Sequence, residues 1–245
     1  MGAVGRCDPA TRVFRPNAMN YFAHALPFLD EPHFTVGSGV PDWLMVVDRR
    51  IRVRTKHAEP FLDDSNPRVR SLAGGILQHI RDDDRFHRSR AFAEISLRLT
   101  VLARDALSGE TNFRPSFLGH LLLELLVDAS LIAQWPGRLD RYYDVLESVD
   151  AGWVADMVGR MASRPATKLG PLISAFHRER VLSDYLEDGK LMARMNQVMR
   201  RVRLDPLPDA LGCILPEART LVSDRIDDLL EGIPVELENR TNPET

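Results

Sequence analysis

Cysteine is nearly missing from this chain of 245 residues. Only Cys7 and Cys213 are present, and they form no C-x-x-C pair. That rules against a disulfide framework and suits a reducing cytoplasm. Strong charge of either sign is also missing. The net charge is −3 and the pI about 6.2, so bulk electrostatics give no reason to expect nucleic acid or a membrane surface as partner. No run of about 18 apolar residues occurs, so no membrane span is expected. The longest apolar stretch, Leu121–Val127, is interrupted by Glu124 and followed by Asp128. There is no internal repeat, low-complexity segment or clear linker. G-x-S-x-G, the P-loop, G-x-G-x-x-G and H-E-x-x-H are all lacking.

Residues 1–18 lack the apolar core of a signal peptide and read as a disordered leader. Recognisable pattern begins at Met19, an alternative start. Residues 19–235 read as one helical domain. The sequence frays from Glu231, and 236–245 reads as a flexible tail.

What the chain does have is ordinary globular composition, 44% hydrophobic and 27% charged, with helical periodicity segment after segment. Met19–Leu29 reads as a short helix ended by Pro27. Asp30–Gly39 reads as a glycine-rich loop. Pro41–Val53 reads as a helix opened by proline, with a strand as the alternative. Arg54–Pro67 reads mostly as loop. Val69, Leu72, Ile76 and Ile80 follow the 3.6-residue period and predict a helix from Pro67 to at least Asp83. The pattern continues to Leu102, either on the same helix after a bend or on a second one. Residues 108–112 read as a break. Pro115–Gln134 is the clearest helix, stopped by Trp135-Pro136-Gly137. Helices over Leu139–Ser148, Ala151–Ser163, Leu169–Met199 (broken near Asp188-Gly189) and Pro216–Leu230 complete an all-α, single-domain bundle.

Two stretches place three potential metal ligands at i, i+4 and i+8. These are His79, Asp83, His87 and His120, Glu124, Asp128. Residues four apart share a helix face. The second set interrupts a leucine-rich run, where a carboxylate is costly unless compensated. Positions eight apart are separated by about 12 Å along the axis, so neither triple alone can wrap one ion. A pair from each helix, or a two-metal site, would meet that limit. Among Asp82, Asp83 and Asp84, only Asp83 shares the face of His79. His24 and Asp42 are further candidates, from N-Y-F-A-H and G-S-G-V-P-D-W. Arg81, Arg85, Arg88 and Arg90 supply cations suited to phosphate. His33, His57 and His177 read as loop or surface residues. Mixed imidazole and carboxylate ligands suit Mn, Fe, Zn or Mg.

These same positions carry a resemblance. Met19-Asn20-Tyr21-Phe22-Ala23-His24, then Gly37 with Asp42 and Trp43, then Gly75, His79 and Asp83, then Glu124, Asp128, Leu131 and Trp135 follow in order the motifs of acyl carrier protein phosphodiesterase, one of the HD-domain-like helical hydrolases. The likeness covers about residues 19–135. It departs at His87, where that family has Asp, and at Ala129, where it has the His of a D-H pair.

The resemblance implies an HD-like fold and a metal-dependent hydrolase of a phosphodiester or related phosphate ester, including one carried on a protein. His24, Asp42, His79, Asp83, His87, His120, Glu124 and Asp128 would then be the metal candidates. Asp83 or Glu124 would hold the ion or take a proton from water, and Arg81 would steady phosphate charge. Ala129 keeps open a non-catalytic helical binding protein with a degenerate site. A ferritin-like di-metal bundle is a third reading. It uses Glu-x-x-His, whereas this chain has His-x-x-x-Glu.

Overall fold

The computed structural model describes residues 21–108 and 113–234. The expected leader, Met19 and Asn20, residues 109–112 of the expected break, and the tail 236–245 lie outside them. Among the described residues the fold is all-α, a single helical bundle without strands.

The chain opens with α1 (Tyr21–Ala25) and a 3₁₀ turn, Leu26–Phe28, that takes in Pro27. Next comes α2 (Pro32–Val47), a correction to the expected loop over Asp30–Gly39. Pro32 starts it and Pro41 lies inside it. Gly37 belongs to this helix because it crosses α4 backbone to backbone, and Gly39 lies against the Trp43 ring. A Cβ on Gly37 would lie 2.4 Å from the Leu72 carbonyl oxygen, and one on Gly75 would lie 2.0 Å from that of Phe34. Glycine serves here for close approach and not for a turn. The segment Ile51–Val53 lies in neither helix nor strand. A short α3 (Thr55–Ala58) and a 3₁₀ turn, Glu59–Asp63, replace much of the next expected loop.

Helix α4 (Pro67–Arg88) is started by Asn66, whose side chain accepts the Arg68 N–H. Ser89 ends α4 with extended backbone and caps α5 (Arg90–Ala106) by accepting the Phe92 N–H, so the chain makes two helices and not one bent one. Helix α6 runs from Pro115 to Gln134, as expected, and Trp135 ends it. It is the one described helix long and apolar enough to cross a membrane, and most of it is buried under its neighbours. Helices α1, α5, α7 and α11 pack around it. Each fully buried leucine contributes on the order of 2 kcal/mol. That row of leucines offsets the burial of Glu124 and Asp128.

The C-terminal half wraps this core with α7 (Pro136–Ser148), α8 (Ala151–Met161), α9 (Leu169–Glu179), α10 (Asp188–Val202), α11 (Leu215–Ser223) and α12 (Ile226–Leu229). The expected break at Asp188-Gly189 falls earlier. Arg180 takes a left-handed conformation (φ 45°) and a 3₁₀ turn, Val181–Leu186, follows, while Asp188 opens α10. Leu230 and Ile233 are buried, so packing extends past the expected fraying point at Glu231.

Candidate metal centre

Two groups of side chains converge in this core. The first joins His24 of α1 to His79 and Asp83 of α4. His24 reaches α4 because Asp128 of α6 takes hold of the start of α1. One Asp128 oxygen accepts the Phe22 N–H (3.0 Å) and the other the Ala23 N–H (2.9 Å). These are first-turn amides with no intrahelical acceptor. Asp128 therefore positions His24, and it stands outside both converging groups, which differs from its expected role as a ligand. Burial pushes the Asp128 pKa up to about 7, against the two N–H bonds and the charge on His24.

The His24 imidazole sits between two carboxylates. Nδ1 is 3.6 Å from Asp82 Oδ2 and Nε2 is 3.6 Å from Asp83 Oδ1. His79 lies with its ring centroid 4.1 Å from that of His24. Its Nε2 is 3.8 Å from Asp83 Oδ2 and 3.8 Å from Asp42 Oδ1. The Gly37–Gly75 crossing makes this last approach possible, since Asp42 and His79 lie about one helical turn beyond it. Asp42 thus flanks His79 without joining the tighter His24–His79–Asp83 group.

Such separations are too long for hydrogen bonds. Both His24 nitrogens, His79 Nδ1, Asp42 Oδ2, Asp82 Oδ2 and Asp83 Oδ1 are buried with no hydrogen-bond partner. Polar atoms so placed cost free energy unless something pairs with them. Ligands on an ion with bonds of about 2.1 Å lie between about 3.0 Å (adjacent) and about 4.2 Å (opposite) apart, a range that includes 3.6 and 3.8 Å. The buried His, Asp and Glu groups can therefore hold a metal ion.

The electrostatics agree. Burial lowers the His24 pKa, but Asp82 and Asp83 outweigh it and raise it to about 10. Burial and the charge on His24 bring His79 down to about 3. Burial and the charge of Asp83 raise Asp42. Burial also acts to raise Asp83, yet His79 and His24 hold it well below the usual carboxylate range. Carboxylates that keep a proton on His24 also favour a metal cation in its place.

The second group joins His87, at the end of α4, to His120 and Glu124 of α6. His87 Nε2 lies 3.0 Å from Glu124 Oε1 and 3.2 Å from His120 Nε2, and His120 Nε2 lies 2.8 Å from the same Glu124 oxygen. Burial lowers the His87 pKa, but Glu124 outweighs it, and the net shift is upward. The sequence thus brings seven of the eight metal candidates to these two groups and their margin, with Asp128 behind them.

No protein-family profile, curated protein or solved structure matches the chain.

The expected phosphate clamp is not assembled. Arg81 is exposed and donates to Gln78 Oε1 (2.9 Å). Gln78 in turn donates to Asp82 Oδ1 (2.7 Å), so Arg81 touches the first group only through an intermediary. Arg88 pairs with Asp84 and Arg90 with Glu94, both near the surface, and Arg85 lies against Gly232. Of the other histidines, His33 packs edge-on against Trp153, His57 lies in α3, and His177 is 3.9 Å from Glu147. Asp82 is the flanking carboxylate that periodicity did not reveal. It points about 100° away from Asp83 around α4, and only the insertion of His24 between the two unites them.

Proposed function

We propose that this chain is a metal-dependent hydrolase of a phosphodiester or related phosphate ester, similar to acyl carrier protein phosphodiesterase. One observation carries the reading. His24 comes from one helix and His79 and Asp83 from another, and they converge in a buried position where both His24 nitrogens, His79 Nδ1 and Asp83 Oδ1 have no hydrogen-bond partner. A divalent ion there would supply a water of lowered pKa and polarise a phosphoryl oxygen.

The chain's own groups divide the remaining work. His24 and His79 are buried and fixed, which suits ligands. The Asp83 side chain is 29% exposed, so the group opens toward solvent on the Asp83 side, where a substrate can reach it. His79 and His24 hold the Asp83 carboxyl below the usual carboxylate range, which suits holding a cation more than accepting a proton. Arg81, exposed and bonded to Gln78, is the cation assigned to an incoming phosphate, which it would meet only after a change of rotamer. A non-catalytic binding protein is the second reading, favoured by Ala129, a buried methyl group where the resembled motif has an imidazole.

The test is hydrolysis of bis(p-nitrophenyl) phosphate and of a phosphopantetheine-bearing carrier protein, using protein purified without chelator and supplied with Mn or Mg. Wild type should show metal-stimulated turnover of at least one of them. His79→Ala and Asp83→Ala should lower it on the order of a hundredfold or more. Turnover no faster than that of the two variants would reject the hydrolase and leave the binding protein.

A further inference from the structure

We propose that His87, His120 and Glu124 form a second divalent-cation site, distinct from the His24–His79–Asp83 group, and that it takes a first-row transition ion. It does not depend on the hydrolase reading, which needs only the first group.

The geometry starts from the three facing atoms. Their separations are 2.8, 3.0 and 3.2 Å. An ion with bonds of about 2.1 Å holds neighbouring ligands about 3.0 Å apart in octahedral and about 3.4 Å apart in tetrahedral coordination. The triangle therefore has nearly the size that a shared ion imposes.

Proton bookkeeping points the same way. His87 Nδ1 lies 2.8 Å from the Asp83 carbonyl oxygen, which can only accept, so Nδ1 carries a hydrogen. In a neutral ring Nε2 then presents a lone pair. That lone pair faces Glu124 Oε1, itself an acceptor. His120 Nε2 can bring one proton to the carboxylate, but with His87 neutral its edge still sets acceptor against acceptor. A cation at the centre satisfies all three edges at once.

A backbone carbonyl holding the far nitrogen of a ligating imidazole is a recurrent arrangement around metals, because it fixes both tautomer and ring direction. Phe92 adds to the fixing. It lies edge-on to His87 (centroids 4.8 Å, 71°) and to His120 (4.9 Å, 77°). The two imidazoles are stacked 5.0 Å apart.

Burial supplies an independent observation. Glu124 is 0% exposed, and its second oxygen, Oε2, has no hydrogen-bond partner. A carboxylate in the middle of a leucine helix with an unpaired oxygen is costly. The His87 and His120 side chains are 28% and 17% exposed, so an ion has an entry path and open positions for water. Two imidazole nitrogens and one carboxylate oxygen favour Zn, Fe, Mn or Co over Mg or Ca.

Asp83 links the sites. Its carboxylate belongs to the first group, and its carbonyl orients His87 in the second.

Titration of the chelator-stripped full chain with Co(II), followed by visible absorption and elemental analysis, tests the site. Wild type should take two equivalents. His120→Ala and the near-isosteric Glu124→Gln should each take one, with melting curves showing that both still fold. His79→Ala should keep the equivalent that these lose. Three protonated groups sharing hydrogen bonds without an ion would instead leave the stoichiometry of wild type and His120→Ala equal, and that overturns the proposal. A single equivalent in wild type, abolished by His79→Ala, overturns it too while leaving the hydrolase intact. Two equivalents without turnover would reject the hydrolase and keep this site.

Discussion

Asp128 holds the first amides of α1, and through them it aims His24 at α4. Its place in a leucine helix made it look like a ligand, because burial cost alone cannot tell a carboxylate that meets a metal from one that meets backbone N–H groups. The helical spacing did reveal His79 with Asp83 and His120 with Glu124, since one helix's periodicity fixes which of its own residues share a face. It could not reveal which other helix would approach, so Asp82 stayed hidden until His24 came between it and Asp83. Asp128→Asn separates positioning from ligation. An amide can accept one of the two N–H groups but sets its own NH₂ against the other. We expect a loss of about 1–3 kcal/mol in thermal or denaturant unfolding. Cation binding at the His24 group should weaken about 10–100-fold with its stoichiometry unchanged. Complete loss of that equivalent from a folded variant would make Asp128 a ligand after all.

Helix α2 was concealed by its own glycines. Gly37, Gly39 and Pro41 read as turn chemistry, yet Gly37 answers to the α4 backbone, as Gly75 on α4 answers to the α2 backbone, and neither crossing point has room for a Cβ. The break at Arg180 was hidden for a similar reason. An arginine gives no local signal for a left-handed residue, and tertiary contacts hold the turn there. Its guanidinium lies over Tyr143 and pairs with Asp140, while the Leu182 N–H donates to the Tyr143 hydroxyl. Helices α4, α5 and α6 were legible because their apolar periodicity and end signals agree. The α2–α4 crossing can be tested at Gly75, with Gly189, which has open space around it, as control. Gly75→Ala should cost about 3 kcal/mol or more in urea unfolding, since backbone must move. Gly189→Ala should stay within about 0.5 kcal/mol of wild type. Equal stability of the two variants would mean that the helices do not meet so closely.

At the scale of the molecule, α6 forms the buried axis, and both converging groups lie where α4 passes the helices beside it. Asp83 and His87 are one turn apart on α4 and both partly exposed, so the two groups open to solvent along one helix face. The acids and imidazoles between them are paid for by leucine packing elsewhere in the bundle, an arrangement expected where function and not stability selects the residues. The account stands on a cation joining α1 to α4. Crystals soaked with Mn and measured for anomalous scattering test this most directly. The account predicts an anomalous peak within about 2.0–2.6 Å of His24 Nε2, His79 Nε2 and an Asp83 oxygen. A map with no peak there, and with those side chains turned apart toward solvent, would contradict it.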